Sequence, residues 1–118
     1  MQYICLIYGD EQSFQGMGDE DRNQVMADYM AFTESIGKSG NLVAGDALQP
    51  TTTATTVRVR NGKISMTDGP YAETKEQLAG FYLIDANDLN EAVQVAAKIP
   101  PARVGSIEVR PVRELSAK

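Results

Sequence analysis

The 118-residue chain contains no histidine and no tryptophan, and it has one cysteine. Without histidine, Ser-His-Asp and Cys-His nucleophilic catalysis are excluded, and the commonest metal ligand is missing. A single thiol cannot close a disulfide within the chain. Cys5, flanked by Ile4 and Leu6, reads instead as a packing residue on an apolar strand. Positive charge is also scarce: 11 Lys+Arg face 16 Asp+Glu, for a net charge of −5. An acidic chain with no basic cluster interleaved with aromatics repels phosphate backbones, so nucleic acid is not an expected partner. Long hydrophobic runs are absent. The longest apolar stretch, Tyr3 to Tyr8, falls far short of the roughly 18 residues that span a bilayer. It also lies too early, with no basic residue before it, to act as a secretory signal. The expected address is the cytoplasm, with no membrane partner.

What remains is the composition of an ordinary folded domain. With 42% hydrophobic and 23% charged residues, disorder and low complexity are excluded, and residues 1–118 are expected to form one domain with one core. Tyr3 to Tyr8 is apolar at every position, as in a central strand covered on both faces. Gly9 to Asp19 reads as a polar loop. A helix is predicted over about Asp21 to Ser39, where Val25, Tyr29, Phe32 and Ile36 recur at helical spacing and Met26, Met30 and Thr33 widen the stripe. Asp19-Glu20-Asp21 suits its N-terminal dipole and Gly40 its end.

Leu42 to Leu48 predicts a strand weakened by Gly45, hence near an edge. Asn61-Gly62, between Thr56–Arg60 and Lys63–Met66, is the pair best suited to a two-residue type I′ hairpin. That turn predicts Arg60 opposite Lys63, Val59 opposite Ile64, Arg58 opposite Ser65 and Val57 opposite Met66, with one face apolar and the other cationic. Phe81 to Ile84 is a second strand apolar on both faces. A helix is predicted over about Leu89 to Ile99, with Leu89, Val93 and Ala96 on the buried stripe, Asp88 as its N-cap, Glu91 three residues on, and Pro100-Pro101 as its stop. Ile107 to Arg110 alternates, and Pro111 restricts it to an edge strand.

The order is strand, helix, strand, inserted hairpin, strand, helix, strand. This predicts an α+β fold of ferredoxin-like βαββαβ plan, with both helices on one face of an antiparallel sheet. Two helices cover only one face, whereas the two central strands are apolar on both. A second copy packed sheet to sheet across a twofold axis is the simplest cover, so a homodimer is expected. The alternative cover is the inserted hairpin or the Gly9–Asp19 segment folding over the face.

Asp68-Gly69-Pro70-Tyr71-Ala72-Glu73-Thr74-Lys75-Glu76-Gln77-Leu78, followed by Gly80-Phe81-Tyr82-Leu83-Ile84, resembles the signature of the YCII-related proteins with a DGPF domain, with Tyr71 where a Phe is usual. Tyr3–Asp10, Val43–Pro50 and Glu108–Pro111 are similar to the same family, so the resemblance spans nearly the whole chain. It implies a dimeric α/β barrel of ferredoxin-like subunits. In the wider YCII group a His and an Asp are candidates for an acid/base site. Asp68 matches the Asp, and this chain has no His. Association of some relatives with extracytoplasmic-function sigma factors implies a regulatory role.

The candidate site residues carry two readings each. Asp68-Gly69-Pro70 forms a turn, or else places Asp68 at a cleft mouth as a general base. Glu73-Thr74-Lys75-Glu76 forms a solvated helical turn, or else sends Glu73 and Lys75 into the same cleft. The spacing of these carboxylates fits no metal loop, and neither a metal nor a cofactor is expected. Arg58, Arg60 and Lys63 form a solvated cationic face, or else Arg58 and Arg110 offer guanidinium forks to an anion. Tyr8, at the end of a central strand, is the tyrosine placed nearest a cleft, with Gly69, Pro70 and Tyr71 at its margin. The first expectation is therefore a small-molecule-binding protein, with cofactor-free acid/base chemistry at Asp68 on a small metabolite, anions included. The second is a non-catalytic accessory or sensor dimer acting on a protein partner in transcription.

Overall fold

The computed structural model describes residues 1–115. The domain expected over 1–118 thus has its last three residues outside the described ones. Strand β1 (Gln2–Gly9) alternates Tyr3, Cys5 and Ile7, all buried, with Ile4, Leu6 and Tyr8, which are half-buried on the opposite face. It pairs antiparallel with β5 (Gln77–Asp85) and with β6 (Ser106–Pro111). On its other side β5 pairs antiparallel with β2 (Leu42–Ala47), giving the order β2-β5-β1-β6. This is the ferredoxin-like arrangement, with the two apolar strands central and the Gly45 and Pro111 strands at the edges.

Helix α2 (Asp19–Ser39) and helix α3 (Leu89–Ala96) lie on the face of Tyr3, Cys5 and Ile7. Phe32 and Ile36 of α2, with Ala92, Val95 and Ala96 of α3, close a core that also holds Tyr82, Ile84 and Ile99. Burying a large side chain such as Ile84 or Ile99 contributes about 1.5–3 kcal/mol. Phe32 meets Tyr82 edge-on at 5.1 Å, and the Tyr82 hydroxyl lies 2.7 Å from Thr33 Oγ1, which donates to the Tyr29 carbonyl. Gly45 matters here for a reason other than strand weakness. A Cβ at that position would lie 2.6 Å from the Tyr82 ring, so only glycine lets the ring pass under the edge strand.

Several expected details are corrected. Helix α2 begins at Asp19, and Met26 and Met30 are exposed, because its buried face narrows to Phe32 and Ile36. The Gly9–Asp19 segment contains a short helix, α1 (Glu11–Gln15), whose first turn is capped by the Asp10 carboxylate accepting from Gln12 N–H at 3.0 Å. Leu89 and Val93 of α3 are exposed. The small side chains of Ala92 and Ala96 let the helix approach the sheet closely, so it turns that face inward. Its N-cap is as expected, with Asp88 accepting from Glu91 N–H at 2.9 Å, whereas the Glu91 carboxylate accepts from the Asn41 and Asn87 side-chain amides rather than closing a capping box. Residues 73–76 form no helical turn.

The inserted hairpin, β3 (Thr55–Arg60) and β4 (Lys63–Asp68), forms a two-stranded sheet of its own. All four predicted pairs are present, and Asn61 (φ 52°) and Gly62 (φ 75°) supply the left-handed turn. The hairpin therefore leaves the other face of the main sheet, with Ile4, Leu6, Phe81 and Leu83, outside the core.

Candidate functional site

A register shift between Ile7 and Tyr8 sets Ile7 opposite Gly80 but Tyr8 opposite Leu78, leaving Ala79 as the extra residue of a bulge. The bulge brings Leu78 to the same side of the sheet as Tyr8. Three segments then gather around these two side chains. The first is Leu48-Gln49-Pro50, which continues from β2 and is tied to β5 by the Leu48 N–H donating to the Ala79 carbonyl at 2.8 Å. The second is the 3-10 turn Thr51–Thr53 with Ala54, and the third is Pro70-Tyr71-Ala72 with Thr74 and Gln77. Together they line a partly open cavity of about 560 Å³.

Local chemistry fixes each wall. The Gly69 N–H donates to the Ala54 carbonyl at 2.8 Å, and Thr56 Oγ1 donates to the Gly69 carbonyl at 3.0 Å, pinning both ends of the hairpin together. Gly69 holds φ 109°, a conformation that needs glycine, and so sets the turn that brings Pro70 and the exposed Tyr71 to the margin of the cavity. Helix α1 buttresses the opposite wall. The Glu11 carboxylate accepts from the Thr51 N–H at 2.8 Å and from the Thr51 hydroxyl, and Arg22 of α2 holds α1 from behind through the Phe14 and Gln15 carbonyls. The Arg22 guanidinium also lies 5.6 Å from the centre of the Phe14 ring.

Of the residues singled out by sequence, Tyr8, Pro70 and Tyr71 meet in this cavity. Arg58 joins them at the rim, its guanidinium 5.8 Å from the centre of the Tyr71 ring, close enough for a cation–π contact. Gly69 is the hinge behind them. Asp68 is exposed at the end of β4, opposite Thr55, and is not part of the lining. Glu73 and Lys75 are likewise exposed and outside it. Arg110 lies opposite Ile4 on β6, about 13 Å along the strand from the Tyr8 position, and pairs with Glu108. The structure therefore does not gather Asp68, Glu73 and Lys75 with Arg110 into one cleft. Among the described residues, no three carboxylate or thiol groups converge as metal ligands would.

The rest of the lining was not singled out, including the apolar Leu48, Pro50, Ala54, Ala72 and Leu78. Leu48, Pro50, Ala72 and Leu78 lie within the Val43–Pro50 and Asp68–Leu78 stretches that carry the family resemblance, but no property of the single residues marked them as lining. The lining is mainly aliphatic and aromatic, and its polar members are Thr51, Thr53, Thr74, Gln49 and Gln77 beside Tyr8 and Tyr71. No charged side chain belongs to it among the described residues. Such a surface holds an apolar body by burial and orients it through a few neutral hydrogen bonds. A shallower apolar groove, between Leu89 and Val93 of α3 and Ile107 and Val109 of β6, lies on the helical side.

A ferredoxin-like α+β domain with a hairpin insertion and a neutral cavity at one end of its sheet is the class that these features define. The profile of the YCII-related domain family matches residues 1–116. The chain is also 42% identical over 114 residues to an uncharacterized protein of Rhizobium meliloti (strain 1021), an alignment covering 95% of this chain and 92% of that one. This chain belongs to the YCII-related family.

Proposed function

We propose that the protein is a cytoplasmic homodimer that binds a small, largely apolar metabolite in the cavity between Tyr8, Leu78 and Tyr71. The single observation that carries this reading is the neutral, mainly apolar lining of a cavity of about 560 Å³, within the range typical of small-molecule sites. An anionic group on the ligand is accommodated at the rim by Arg58, whose guanidinium lies 5.8 Å from the Tyr71 ring and can donate to a carboxylate. Burial without turnover is favoured over acid/base chemistry, because Asp68 stands outside the lining and the sequence offers no imidazole. The dimer reading rests on Ile4, Leu6, Phe81 and Leu83, an apolar stripe that belongs to no core within one chain.

Native mass spectrometry of untagged protein tests both parts. The expected spectrum is a dimer carrying a discrete added mass that is retained in Asp68→Asn and lost in Leu78→Lys, which puts an ammonium into the apolar wall. Loss of the mass in Asp68→Asn, with retention in Leu78→Lys, would return the site to the Asp68 turn.

A further inference from the structure

The β3–β4 hairpin turns an apolar face to solvent. Val57, Val59, Ile64 and Met66 share that face and are between 56% and 74% exposed. The hairpin makes no ladder with the main sheet, and its opposite, cationic face is exposed as well, with Arg58 against the exposed Tyr71 ring. Alternation along the strand puts Val57 and Val59 on the face opposite Arg58 and its Tyr71 contact.

We propose that this hairpin is an exchanged arm, whose Val57, Val59, Ile64 and Met66 face packs on a second copy of this chain. This rests on the dimer reading above. Shape is the first support. The subunit measures 49 × 47 × 18 Å with a radius of gyration of 16.3 Å, against roughly 13.5 Å for a compact domain of this length. It is a plate, broadened by the hairpin, and a plate becomes compact by stacking on another. Interface size is the second. Alternation turns about 14 side chains of the four main strands outward, short of the roughly 20–30 residues per side in a stable interface, and many are already half-buried by their neighbours. The hairpin supplies the missing area. Charge is the third. Arg58, Arg60 and Lys63 against Asp68 give the hairpin a net +2 in a chain of net −5, leaving −7 on the remainder. Two bodies of that charge repel, and an arm of net positive charge brought within about a Debye length of the second copy lowers the repulsion even though its cations sit on the far face.

The test uses the full chain. Ile64→Cys protein is labelled with a thiol-directed photo-cross-linker, for which buried Cys5 is a poor competitor. Light and isotopically heavy copies are mixed and irradiated, and the cross-linked peptides are identified by mass spectrometry. Separately, the dimer dissociation constant of Val59→Lys/Ile64→Lys is measured by analytical ultracentrifugation. Light-to-heavy cross-links and an increase of about tenfold or more in the dissociation constant are expected. Cross-links confined to one chain, or an unchanged dissociation constant in a protein that dimerises, would overturn the exchanged arm and leave the sheet-to-sheet dimer standing. A wild-type protein that stays monomeric at tens of micromolar would overturn both.

Discussion

At the residue scale, the most constrained side chains are those that face the helices from β1 and β5. Burial pushes the Cys5 thiol up from 9.0 to about 11. Burial, with the nearby Tyr82 phenol adding to it, pushes Tyr29 up from 10.0 to about 12. Both groups are neutral when protonated, and the folded protein holds those protons more tightly than the unfolded chain. Their contribution is therefore complete below about pH 9 and is lost as the pH rises through about 11 and 12. Thermal melts from pH 7 to 12 should show a midpoint that falls above pH 9, and Cys5→Ala should remove the earlier part of the fall. A Cys5→Ala profile that superimposes on the wild type would assign the whole alkaline loss elsewhere. The packing role of Cys5 was legible from its apolar neighbours. The role of Gly45 was not, because a glycine's purpose lies in what passes beside it, here the Tyr82 ring.

At the element scale, local signals were the legible ones. Asn61-Gly62 fixes a turn by its own backbone preferences, and every predicted pair of the hairpin followed from it. The cap of α3 was equally local, since the Asp88 side chain closes on a backbone N–H three residues away. Asp88→Ala should lower stability by about 1 kcal/mol, seen as a lower urea midpoint with an unchanged slope. A loss within error of zero would mean that packing alone holds the first turn. The inward face of α3 was not legible. A helix of eight residues with Leu89 and Val93 on one side and Ala92, Val95 and Ala96 on another offers two apolar faces, and the sheet chooses between them. Helix α1 was missed because its single turn has too few residues to show a period, and its stability comes from Asp10, Glu11 and Arg22 contacts.

At the scale of the whole molecule, the strand order was legible because two fully apolar segments and two interrupted ones leave little choice of centre and edge. The cavity was not. Its walls come from Tyr8, from Leu48 to Ala54 and from Pro70 to Leu78, segments that only the fold and one bulge bring together. The same strand order has a consequence for the motions of the backbone. Amides of β1 and β5 are enclosed by ladders on both sides, whereas each strand of the hairpin has a single partner and no layer above it. In the isolated subunit, deuterium should therefore enter the chain in two well-separated waves, with β3 and β4 exchanging through frequent local opening and β1 and β5 only when the whole sheet comes apart. Such a subunit behaves as a rigid floor with a hinged wing, and the wing is the part free to search for a surface to rest on.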